Sequence, residues 1–123
     1  MSNHILMVAD EQSQLWHIQS ELQSYGLTVN VVNNSSAGLS THNWKYADVI
    51  VLNVNQVETN DYRLCRIFKS NPATAHIPLI LVSHRDESSA VLAAFHAGVQ
   101  DYIIQDIFTT HNLVESLRCL NVL

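Results

Sequence analysis

The sequence predicts a three-layer α/β fold: a single domain, residues 1–123, with a five-stranded parallel sheet covered by helices on both faces. Three observations predict it. Four apolar runs, 5–8, 49–52, 79–82 and 102–104, are continuous rather than alternating, which is the pattern of strands buried on both faces. Stretches with helical spacing separate them, as in successive βαβ units. A chain of 123 residues also suffices for one domain with a substantial core.

The elements follow in order. After the first run, Leu15, Ile18, Leu22 and Tyr25 recur at helical spacing, and Gly26 supplies the left-handed residue that ends a helix over 12–25. Residues 27–32 alternate more and read as an edge strand. Ser35 and Ser36 are possible caps for a short helix over 35–44, with Ala37, Leu39 and Trp44 as its apolar contacts. Tyr62, Leu64, Cys65, Ile67 and Phe68 mark a third helix, which Pro72 ends by pushing Asn71 out of the helical region. Ser88 and Ser89 are expected to cap a fourth helix running to Ala97 and closed by Gly98. Leu113, Leu117 and Leu120 then face inward from a fifth. Right-handed crossovers place these helices on both faces, giving (βα) five times, the flavodoxin-like topology.

Composition excludes several functions. The net charge is −5, with six Lys and Arg in all and no basic run, so nucleic acid is not an expected partner. Charged residues are 14% of the chain, below the usual level of about 25%, which suggests some surface is reserved for a partner. Cys65 and Cys119 lack the spacing of a zinc site or disulfide framework and are expected as reduced thiols. The seven histidines scatter without metal-ligand spacing. No signal peptide is evident and no run approaches the roughly 20 apolar residues of a membrane span, so a cytoplasmic protein is expected. Three glycines leave no phosphate-binding loop, and Ser83-His84 has no nucleophile elbow, so no enzyme is expected.

In a parallel α/β sheet, chemistry gathers outside the carboxyl ends of the strands. Those ends here carry Ala9, Asp10, Glu11, Asn53, Ser83 and Gln105. The run 5–11, apolar residues followed by acids, resembles the first strand of response-regulator receiver domains, and 48–54 resembles their third. Residues 62–66, 71–78 and 97–102 are similar to further receiver motifs, in order and across essentially the whole chain. The resemblance implies a two-component signalling module. In that family an aspartate at the position of Asn53 accepts a phosphoryl group from a histidine kinase, and magnesium bridges it to two acids of the first strand.

The departures fall on those positions. Ala9 replaces one acid, Asp10 matches the other, and Asn53 is an amide that cannot accept the phosphoryl group. Gln105 stands for the family's lysine and Asp106 for the proline after it. Ser83 matches the hydroxyl residue and Tyr102 the aromatic switch residue.

The expectation is therefore a degenerate receiver, a pseudo-receiver that works as a phosphorylation-independent protein-interaction or dimerisation module. No cofactor is expected. Magnesium should not bind, Asp10 and Glu11 being the only carboxylates left at the rim. The binding surface is expected on the fourth helix, fifth strand and fifth helix, roughly 90–120, at Tyr102, Ala90, Ala94, Ile107, Leu113 and Leu117. Partners would be a protein of a histidine kinase pathway, an output domain or a second copy, with no nucleic acid and no membrane. One alternative is a receiver still phosphorylated or metal-bound through another acid such as Asp10. Another is a small flavin- or nucleotide-binding flavodoxin-like domain.

Overall fold

The computed structural model describes residues 3–9, 12–33, 47–54, 60–72, 74–83 and 86–122. Strands β1 (His4–Ala9), β2 (Thr28–Asn33), β3 (Val49–Val54), β4 (Leu79–Ser83) and β5 (Asp101–Ile104) form one sheet. Every pairing is parallel, in the order β2-β1-β3-β4-β5, so β2 is indeed an edge strand. The described helices are α1 (Gln12–Ser24), α2 (Asn60–Ser70), α3 (Ser88–His96) and α4 (Thr109–Cys119). The helix predicted over 35–44 lies outside the described residues.

Continuous apolar strands are explained by the core, which the sheet divides in two. Successive side chains of a strand point to opposite faces. Ile5, Met7, Val49, Val51, Ile80 and Val82 pack on one face against Ile18 and Leu22 of α1 and Leu113 and Leu117 of α4. Leu6, Val8, Ile50, Leu52 and Leu81 pack on the other against Cys65 and Phe68 of α2 and Ala94 of α3. Each fully buried side chain of this kind stabilises the fold by about 1.5–3 kcal/mol. Two-sided burial leaves no polar alternation, which is why these strands read as solid apolar runs.

The helix ends follow the sequence signals with one exception. Gly26 has φ +86° and Gly98 φ +106°, the left-handed conformations expected after α1 and α3. Helix α2 stops at Ser70, just ahead of Asn71-Pro72. The start of α3 corrects the expected serine caps: Glu87 is the N-cap, and Ser88 is the first helical residue. Glu87 is the last residue with an extended backbone (ψ 140°), and it makes no side-chain capping bond. The cap position is fixed by where the chain turns, and two adjacent serines do not fix it.

Among the described residues no helix is long and apolar enough to cross a membrane. Cys65 is buried and Cys119 exposed, both as free thiols.

Candidate functional site

Strand register decides which candidate residues meet. Ala9, the last residue of β1, pairs with Asn33 on one side and Asn53 on the other. Val54, one residue past Asn53, pairs with Ser83, and Ser83 pairs with Ile104. Gln105 follows directly, and its main-chain N–H donates to the Ser83 carbonyl at 2.7 Å. Ala9, Asn53, Ser83 and Gln105 therefore line the carboxyl rim of four adjacent strands. Asp10 and Glu11 lie outside the described residues.

These four positions supply a methyl, two amides and a hydroxyl. The amides and the hydroxyl donate and accept hydrogen bonds, the methyl does neither, and none of the four carries a charge. Ser83 is buried, and the side-chain oxygen of Gln105 is buried as well.

Asp106 has a structural task beside this rim. Its carboxylate accepts the Phe108 N–H at 2.7 Å, the two-residue reach of an Asx turn. Its own N–H donates to Thr109 Oγ at 2.8 Å, and that hydroxyl donates back to the Asp106 carbonyl at 2.7 Å. The turn so formed leads into α4. The Asp-x-x-Thr spacing of 106–109 carries this signal in the sequence, because short oxygen-bearing side chains three residues apart commonly lock such a turn.

The residues expected on the interaction surface divide into two groups. Ala90, Ala94, Leu113 and Leu117 are buried, the last three within the two core clusters, so they support the face from beneath and do not form its surface. This corrects their expected contact role. Tyr102 is partly buried and packs against the cluster beneath α2 and α3. Ile107 is 91% exposed, and Leu92, Phe95, Ile104 and Phe108 join it as exposed apolar residues that the sequence reading missed. Ala90 and Ala94, four apart, share the side of α3 that faces the core, which leaves Leu92 and Phe95 outward. A groove of about 500 Å³ runs along β5, between residues 101–106 and the side of α4 that carries Asn112, Glu115 and Cys119.

Comparison with known proteins agrees with this architecture. Response regulator ArlR of Staphylococcus epidermidis is 28% identical over 117 residues, covering 95% of this chain and 52% of ArlR. The chain thus spans about half the length of that relative. The signal receiver domain of a signal transduction histidine kinase from Syntrophus aciditrophicus has a TM-score of 0.78 at 26% identity, covering 97% of this chain and 89% of the other. Chemotaxis protein CheY4 of Vibrio cholerae has a TM-score of 0.83 at 16% identity, covering 98% and 99% of the two chains, a likeness of fold. The family model for the response regulator receiver domain matches residues 5–118, and with five parallel strands in the order 2-1-3-4-5 the chain belongs to that family.

Proposed function

We propose that this receiver domain is degenerate and acts in two-component signalling as a protein-interaction module that does not depend on phosphorylation. The observation that carries the reading is the pairing of Ala9 with Asn53 in a rim completed by Ser83 and Gln105. Where active receivers have a carboxylate nucleophile, an acid pair and a lysine, three of these positions here hold a neutral amide, a methyl and a second neutral amide.

The donor set does not fit magnesium. That ion binds oxygen ligands in strict octahedral geometry, usually with carboxylates that offset its charge. Ala9 offers no side-chain oxygen and Asn53 no charge, so no step in this reading passes through a metal. Gln105 likewise brings no positive charge to offset a phosphoryl group, which a lysine would supply.

The remaining surface is what such a domain has to work with. The exposed apolar residues of α3, β5 and the start of α4 form the contact face for a kinase-pathway protein, an output domain or a second copy.

The test is exposure of the chain to acetyl phosphate, and separately to beryllofluoride, with magnesium present. Intact mass should show no phosphoryl adduct, and amide shifts of Asn53, Ser83 and Tyr102 should not move. A phosphorylated species, or saturable shifts at those residues, would mean that Asp10 or another acid serves as acceptor and would overturn the reading.

A further inference from the structure

The contact face has a sign as well as an apolar character. Residues 86–122 carry five carboxylates, Asp86, Glu87, Asp101, Asp106 and Glu115, against one guanidinium, Arg118, a net of −4. The whole chain has a net charge of −5, so the other residues together contribute −1. Among the described residues seven large apolar side chains are exposed, and five of them, Leu92, Phe95, Ile104, Ile107 and Phe108, lie in the same segment. Exposed apolar side chains and carboxylates thus concentrate in one segment of the chain.

They also meet locally. The groove of about 500 Å³ beside β5 is lined by Asp101, Asp106 and Glu115 together with Tyr102 and Ile104. Strand β5 is the last in the sheet order, so the groove follows an open sheet edge.

We infer that this face, taken as the interaction surface proposed above, receives a segment of another protein that combines apolar anchors with flanking Lys or Arg. The apolar side chains supply the buried contact and the carboxylates choose its sign. A second copy of the chain fits less well. A two-fold interface sets the same patch against itself, so the carboxylates of Asp101, Asp106 and Glu115 would face those of the other copy. Anionic lipid and nucleic acid are disfavoured for the same reason.

The experiment titrates the isotopically labelled full chain with three synthetic peptides of equal length and follows amide shifts. One is an amphipathic Leu/Lys peptide, one replaces every Lys by Glu, and one replaces every Leu by Ala. The expected result is saturable shifts with the Leu/Lys peptide alone, centred on Leu92, Phe95, Ile104, Ile107 and Phe108. The double substitution D101N/E115Q should weaken that binding about threefold or more, since exposed charge pairs contribute modestly. I107S/F108S should weaken it about tenfold or more, and both variants should keep the parent's thermal midpoint, because Ile107 and Phe108 are exposed.

Equal binding of the Leu/Glu or the Ala/Lys peptide, or shifts centred elsewhere, would overturn the inference. So would a dimer of the chain alone, seen by sedimentation and dispersed by I107S/F108S, although that would leave the interaction-module reading standing. Leu/Lys binding that requires beryllofluoride and magnesium would do the reverse: the partner chemistry would stand and the phosphorylation-independent reading would fall.

Discussion

The stem of Lys69 lies across the α-carbon of Gly98, so close that a methyl group at Gly98 would sit 2.7 Å from Lys69 Cγ. The same lysine extends its ammonium to the Ile77 carbonyl at 2.8 Å and the Ala75 carbonyl at 3.4 Å. One side chain thus joins the end of α2, the entry to β4 and the turn that closes α3.

Gly98 and Gly26 provide a controlled comparison. Both have positive φ, but an added Cβ at Gly26 meets open space. Gly26→Ala should cost about 1 kcal/mol, the strain of a left-handed non-glycine residue. Gly98→Ala adds a steric conflict with Lys69 and should cost about 2–3 kcal/mol. Urea denaturation of both variants checks the order, and equal losses would show that the lysine stem simply swings aside.

Lys69 should also give a signature in pH. Burial lowers its pKa from the ordinary 10.5, partly opposed by electrostatic attraction to the neighbouring Cys65. Between the lowered value and 10.5 the unfolded chain binds more protons than the native one, so this group's contribution to stability rises as pH climbs through that window. Below the window the cost of the buried charge is constant. The stability of the parent relative to Lys69→Met should therefore increase toward alkaline pH, as measured by urea midpoints, and the ¹³C shift of Lys69 Cε should titrate below the ordinary lysine value.

The turn at Asp106 should depend on the Thr109 hydroxyl. Thr109→Val keeps the buried volume but removes two hydrogen bonds, for an expected loss of about 1–3 kcal/mol. Thr109→Ser keeps the hydroxyl and should lose less. Asp106→Pro, which installs the residue typical of active receivers, removes the N–H that Thr109 accepts and should destabilise this chain by about 1 kcal/mol or more. Thermal unfolding of the three variants distinguishes these effects.

Changing one rim residue should not by itself confer binding of a phosphoryl analogue. Asn53→Asp supplies a carboxylate but leaves Ala9 without a ligand oxygen and Gln105 without charge. The triple variant A9D/N53D/Q105K should gain magnesium-dependent beryllofluoride binding that N53D alone lacks, read from amide shifts at Ser83 and Tyr102. Equal responses from the single and triple variants would show that Ala9 and Gln105 do not limit the chemistry.

The sheet was legible because burial on both faces leaves an unambiguous trace. The runs at 5–8, 49–52 and 79–82 all became strands that extend only one or two residues further. The exposed apolar surface was less legible, and α3 shows why. Its residues 90–95, Ala-Val-Leu-Ala-Ala-Phe, are apolar all round, so hydrophobicity alone cannot say which side faces the core. Packing decides it: Ala90 and Ala94 are small enough for close approach to the sheet, and the bulkier Leu92 and Phe95 are left outside. At the rim, the sequence placed Ala9, Asn53, Ser83 and Gln105 together because strand ends in a parallel sheet share one edge. The task of Asp106 is written in the Asp-x-x-Thr spacing, a local signal that a receiver motif, which counts position 106 only as a replaced proline, does not register.

The division of the core gives the exposed apolar surface, as a proposed contact face, an unusual reach. Helix α3 rests on one cluster and α4 on the other, with β5 between them. A partner lying across α3, β5 and α4 would fasten together two helical layers that otherwise communicate through the sheet. Its occupancy should slow hydrogen exchange in α1 and α2 as well, the helices packed beside α4 and α3 in those layers. Binding at this one edge would thus be felt as a tightening of the entire domain.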